Sequence, residues 1–136
     1  MTRIKKTEYE SLAAFRYALR QFLHFSEEAA QTVGLTPQQH QALLVIKGFP
    51  ERDEITIKEL AERLQIRHHS AVGLADRLVA QGLLKRKQSD TDRRQVYVML
   101  TAQGLSILEQ LSSTHKEELR RMLPELRRLL EQLSGE

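Results

Sequence analysis

Two histidines stand side by side in QIRHHSAV, Gln65 to Val72, in a chain of 136 residues that has five in all. Adjacent imidazoles could ligate a metal, move protons or offer hydrogen bonds to a partner. Helix geometry bears on the choice. Successive helical residues point about 100° apart, so His68 and His69 cannot easily chelate one ion, whereas ligand pairs are spaced three or four. His24, His40 and His115 fall on other expected helices, none with a partner at that spacing, so no metal site is expected. Catalysis finds less support still. There is no cysteine, no glycine-rich phosphate loop and no acidic pair at the head of an expected strand, and Ser70 diverges from His69 on a helix surface. The expectation is a protein that is not an enzyme and needs no cofactor, with the histidine pair turned toward a partner.

The elements that position this pair follow from local pattern. Leu12, Phe15, Leu19, Phe22 and Ala29 recur three or four apart, widened by Ala14, Ala18 and Phe25, which predicts a long amphipathic helix from Glu8 to about Gln31. In GLTPQQHQALLVIKGFP, Thr36 is an N-cap, Pro37 suits the first helical position and Gln39 completes a capping box. That second helix runs to about Lys47 and is stopped by Gly48 and Pro50. ITIKELAERLQI repeats the device with Thr56 and Glu59, and buries Leu60, Ala61 and Leu64. In RHHSAVGLADRLVAQG the stripe Ala71, Leu74, Ala75 and Leu78 must face the protein, and Gly82 stands where a left-handed C-cap belongs. Arg67, His68, His69, Ser70, Val72, Gly73 and Arg77 are left on or near the outward side.

Beyond Gly82 the period changes to two. LLKRKQ and QVYVML flank the polar loop SDTDRR, with Val96, Val98 and Leu100 alternating against Tyr97 and Met99, which predicts a hairpin with a basic tip. Thr101 then caps a last helical region through Leu105, Leu108, Leu111, Leu119, Met122 and Leu123, with Pro124 expected as an interruption before Leu126, Leu129, Leu130 and Leu133. So many leucines on two terminal helices ask for a partner helix, most simply from a second copy of the chain. The expected fold is mainly α with a small β-hairpin wing, in one domain over 1–136. A winged helix-turn-helix occupies 33–100, and helical dimerisation regions occupy 1–32 and 101–136.

Composition agrees with this and removes other classes. The absence of cysteine excludes disulfides, thiolate nucleophiles and thiolate zinc sites. No apolar run approaches bilayer length and the N-terminus lacks a secretory apolar core, so a cytoplasmic protein without a membrane partner is expected. The net charge is +3, yet residues 63–94 carry eight Lys/Arg against three Asp, a net +5 that leaves −2 for the rest. That is the footprint of a nucleic-acid surface or, equally on charge alone, a solvated face. A helix fits the major groove of duplex DNA, and a hairpin beside it reaches phosphates and the adjacent minor groove.

TIKELAERLQI, ADRLVAQGLLKR and SDTDRRQVYVMLTAQG resemble the MarR-type transcriptional regulators, and the likeness extends over the terminal helices to nearly the whole chain. The resemblance implies a homodimer on a pseudo-palindromic operator in double-stranded DNA, most often a repressor released by a small molecule, frequently an aromatic acid or phenol. Carried onto this sequence, Arg94 would be the minor-groove arginine, with Arg93 beside it and Asp92 holding the wing tip through a salt bridge. A guanidinium at a hairpin tip suits the negative potential of a narrow minor groove. His69 and Gly73 depart from the family's usual Ser and Arg, and glycine there costs roughly 1 kcal/mol of helix stability relative to alanine. Ser112 and His115 interrupt the apolar stripe of the last helix. They are candidates for an effector pocket together with His24, Phe25 and His40, which the family's pocket position adds; the other reading is a satisfied histidine at a helix edge or dimer seam. The alternative function is a winged-helix module that uses its basic face for a protein partner, without specific DNA binding.

Overall fold

The computed structural model describes residues 3–135. Its elements are α1 (Lys6–Thr32), α2 (Pro37–Lys47), β1 (Glu54–Thr56), α3 (Ile57–Leu64), α4 (His68–Ala80), β2 (Leu84–Gln88), β3 (Val96–Leu100) and α5 (Ala102–Ser134). The chain forms two compact units, Ala30–Leu111 on the one hand and the residues up to Ala29 with those from Ser112 onward on the other.

In the unit Ala30–Leu111, both expected capping boxes are made. Gln39 N–H donates to Thr36 Oγ1 at 3.1 Å and Thr36 N–H to Gln39 Oε1 at 3.1 Å, while Glu59 N–H donates to Thr56 Oγ1 at 3.2 Å and Thr56 N–H to Glu59 Oε1 at 2.9 Å. Each box satisfies two backbone donors that a helix start leaves open. Leu43, Ile46, Leu60, Leu74 and Leu78 are fully or almost fully buried beneath these helices, with Ala71 and Ala75 letting α4 approach closely.

The hairpin is joined by a strand that the sequence pattern did not reveal. Three residues are too few to show a period, but β1 pairs antiparallel with β3, Ile55 opposite Val98, in the order β1-β3-β2. Ile55, Leu84 and Val98 are buried, whereas Val96 and Leu100 are half-buried, so the expected alternation along β3 is only partly realised.

The start of α5 is tied to the end of α4. Gly82 has φ +77° and Leu83 N–H donates to the Leu78 carbonyl at 2.9 Å, the left-handed C-cap expected there. Thr101 Oγ1 donates to the Gly82 carbonyl at 2.6 Å, Thr101 N–H to the Leu83 carbonyl at 3.1 Å, and Gly104 N–H to Thr101 Oγ1 at 3.0 Å. A β-carbon on Gly104 would overlap the Leu83 carbonyl oxygen and lie 3.0 Å from its carbon. Backbone meets backbone at this point.

A second cluster braces the start of α3. Arg52 forks onto both oxygens of Glu59, with Nη1 to Oε1 at 3.2 Å, and the guanidinium groups of Arg52 (4.5 Å) and Arg63 (4.7 Å) both lie over the Phe49 ring. Burial pushes the Glu59 carboxyl up, but the Arg52 guanidinium and the Thr56 amide and hydroxyl outweigh it and hold the carboxyl below its ordinary value.

In the other unit, α1 and α5 run antiparallel. Ser11 Oγ donates to Gln132 Oε1 at 2.6 Å near one end, and His115 bonds Ser26 near the other. Ser11, Ala18, Ser26 and Leu129 are buried between them. Pro124 does not interrupt the helix as expected: α5 is continuous from Ala102 to Ser134. The missing N–H deprives only the carbonyl of Arg120, and both residues are exposed, on a side that water can reach.

Two outcomes follow from these contacts. Gly104→Ala should lower unfolding stability by about 1–3 kcal/mol in urea titration, because a backbone carbonyl cannot move aside as a side chain can. Glu59→Gln keeps the cap but removes the charge that Arg52 holds. Since the folded carboxyl is depressed, its contribution is present above the unfolded value and lost as pH falls through the folded one. The deficit of Glu59→Gln against the parent chain should therefore be present at pH 7 and shrink progressively as the pH is lowered below the ordinary carboxylate range.

Candidate nucleic-acid interface

The turn between α3 and α4 sets the direction of α4. Gln65 adopts the left-handed conformation (φ 56°), at a cost of roughly 1–2 kcal/mol for a residue with a β-carbon, and Ile66 N–H closes the turn onto the Ala61 carbonyl at 3.0 Å. Burial of Ala71, Leu74, Ala75 and Leu78 then fixes the rotation of α4. Arg67, His68, His69, Ser70, Val72 and Arg77 are all exposed and Gly73 is half-buried. A β-carbon at Gly73 would meet only Arg77 Nη2 at 3.6 Å, so nothing within the described residues requires glycine there.

The wing loop between β2 and β3 is shaped by a residue the sequence pattern did not single out. Ser89 is buried; its hydroxyl accepts from Thr91 N–H (3.3 Å) and Asp92 N–H (3.1 Å), and its own N–H donates to the Gln95 carbonyl (3.0 Å). A serine opening a polar loop is the one signal that could have marked it. Gln88 Nε2 donates to the Arg93 carbonyl. Asp92 Oδ1 accepts Arg94 N–H at 2.9 Å, while its distance to Arg94 Nε is 3.9 Å, so Asp92 engages the backbone of Arg94 more closely than its side chain. Arg93 is exposed and the Arg94 side chain is 96% exposed at the tip.

The basic side chains of the region are not equivalent. Arg86 on β2 is paired with Asp76 on α4, and Lys87 lies 3.5 Å from Glu54 on β1. Between α3, α4 and the wing lies a cleft of about 340 Å³ lined by Thr56, Ile57, Lys58, His68, Arg94, Gln95 and Val96. It contains no acid. Lys58 was not anticipated, because it belongs to α3 and only the fold brings it beside His68. His68 and His69 occupy successive positions on an exposed turn, and among the described residues no group of three or more His, Asp or Glu could hold a metal ion.

The candidate effector residues separate. Phe25 and His115 come together, their ring centroids 5.3 Å apart, with Phe22 at 5.7 Å from the same imidazole and Ser26 Oγ at 2.8 Å from its Nε2. Ser26 was missed; its sign in the sequence is a serine on the apolar stripe of α1. Ser112 is half-buried on α5. His24 is exposed, and the expectation that it has no partner at helical spacing is corrected, since Glu28, four residues on, has Oε1 2.9 Å from its Nε2. His40 is buried in α2, within the other compact unit. No helix of the described residues is long and apolar enough to cross a membrane.

Residues 33–95 match the sequence model of the MarR family. The organic hydroperoxide resistance transcriptional regulator of Bacillus subtilis (strain 168) is 30% identical over 111 residues, covering 74% of this chain and 74% of that one. The HTH-type transcriptional repressor MdtR of the same organism is 28% identical over 96 residues, 71% of this chain and 60% of that protein, so the match spans less than two thirds of that relative's length. A solved structure of a MepR mutant from S. aureus, bound to an oligodeoxyribonucleotide, superposes with a TM-score of 0.72 at 19% identity, covering 90% of this chain and 96% of that chain. At that identity the likeness shows a shared fold. The chain belongs to the MarR family, whose members are transcriptional regulators rather than enzymes.

Proposed function

We propose that the chain is a sequence-specific DNA-binding regulator that acts in the cytoplasm as a homodimer on a pseudo-palindromic operator. The observation that carries this is the leading part of α4. From Arg67 to Gly73 it holds no acid, it is exposed except for Ala71 and the half-buried Gly73, and it is rigidly backed by buried Leu74 and Leu78. A helix so presented suits the major groove, with Val72 available to a thymine methyl and His69, Ser70 and Arg77 to base edges and phosphates. Arg94, with Arg93 beside it, is the guanidinium for the minor groove, and Asp92 shapes the loop that presents it. The segment 33–100 serves as the DNA-binding lobe.

The terminal regions, 1–32 and 101–136, serve dimerisation in this reading. Leu12, Tyr17, Leu23, Leu119, Leu123 and Leu130 are exposed there, an apolar surface that a second copy would cover. Repression released by a small aromatic or phenolic ligand is the regulatory part of the proposal. Phe25 and His115 with Phe22 offer aromatic edges and one polar partner, the type of lining such a ligand needs. Without cysteine the chain has no thiol chemistry for sensing a peroxide, so release by bound ligand is the reading that fits its residues.

The test is a footprint on DNA flanking the chain's own gene, with affinity measured across salt concentrations. Protection of a two-fold symmetric site is expected. A flat salt dependence with no protected site would replace this proposal by that of a module for a protein partner. Arg94→Ala should weaken operator binding and reduce the slope of log affinity against log salt by about 1, with the dimer intact. Combining Leu12→Glu and Leu123→Glu should shift the sedimenting species from dimer to monomer; an unchanged dimer would place the interface elsewhere.

A further inference from the structure

One cleft of the molecule gathers positive side chains from three elements. Arg86 and Lys87 already have carboxylate partners in Asp76 and Glu54. Lys58 and His68, by contrast, make no side-chain hydrogen bond or ion pair among the described residues, and both line the acid-free cleft that Arg94 flanks from the wing. Lys58 comes from α3, His68 opens α4, and Arg94 lies at the entry to β3. Three separate elements therefore converge on one small volume.

We propose that this cleft seats a single phosphate of the DNA backbone, with Lys58 and His68 as its donors; the inference rests on the DNA-binding reading above. A primary ammonium and an imidazole N–H, drawn from two helices onto one small volume, suit the oxygens of a phosphate. The Thr56 and Gln95 side chains on the walls add polar groups without negative charge. One phosphate held here would fix α3, α4 and the wing against the same strand, which sets register without carrying sequence information. It also divides the histidine pair. With successive residues about 100° apart on the helix, a His68 turned into the cleft leaves His69 turned away, toward the groove. His68 is then a positioning residue and His69 the base reader.

The experiment measures anisotropy of a labelled operator duplex and of an unrelated duplex between 50 and about 200 mM salt, using the full chain. Lys58 is exposed, so Lys58→Gln should keep the parent circular dichroism spectrum. It should weaken both duplexes by the same factor and lower the salt slope by about 1, while Lys58→Arg restores the slope. Arg86→Gln should lower the slope less, because Asp76 already holds that guanidinium. Operators with one methylphosphonate at a time then locate the phosphate: neutralising it should weaken the parent chain more than it weakens Lys58→Gln, which keeps only His68 as donor. The inference is overturned if Lys58→Gln keeps the parent slope, if Arg86→Gln lowers it as much, or if every methylphosphonate affects both chains alike. Absence of salt-dependent binding by the parent chain to either duplex would instead overturn the DNA-binding reading itself.

Discussion

The contact on which the rest of the DNA-binding lobe depends is the close approach of Gly104 to the backbone at Leu83. Here the end of α4, the first residue of β2, the last of β3 and the first turn of α5 meet within a few residues, joined by the three hydrogen bonds of Thr101 and Gly104. Helix propensity and strand pairing each define an element. This junction ties the end of α4 to the sheet, and with the turn at Gln65 it sets where the face from Arg67 to Arg77 is presented relative to the wing. A side chain at position 104 would collide with the Leu83 backbone.

The same economy governs the charges. Two of the three aspartates in the basic segment are given other work by the fold. Asp76 takes up Arg86 and Asp92 holds the Arg94 amide, while Glu54 from β1, outside the segment, approaches Lys87. The excess of positive charge left by these pairings lies along the leading turn of α4, the cleft beside it and the exposed wing tip. An exposed pair contributes little to stability. Its larger effect is to remove a cation from the pool available to a polyanion.

At the seam between α1 and α5, polar groups replace part of the apolar stripe without being left unpaired. Ser11 with Gln132 and Ser26 with His115 are cross-helix hydrogen bonds in partly buried surroundings, where an unsatisfied group would cost on the order of 1–3 kcal/mol. Such pairs fix the antiparallel register more sharply than leucines can, because apolar contacts tolerate sliding. The Phe22 and Phe25 edges around His115 add a second constraint on the same ring.

Local pattern was enough for the elements whose cause is local. Thr36 with Gln39 and Thr56 with Glu59 announce helix starts because a cap is made by residues three apart, and Gly82 announces an ending because few other residues enter the left-handed region readily. The outward face of α4 was legible too, since its complement is a four-residue apolar stripe at helical spacing. What escaped depended on residues far apart in the chain. Strand β1 exists because β3 offers it an edge, α5 passes Pro124 because its surroundings leave that carbonyl solvated, and Ser26 finds His115 across 89 positions. Lys58 joins His68 and Arg94 only after the turn at Gln65 and the sheet have closed the cleft. Hydrogen bonding within one turn is written in spacing, but which cations are paired and which remain open is decided by tertiary proximity, and no spacing encodes that.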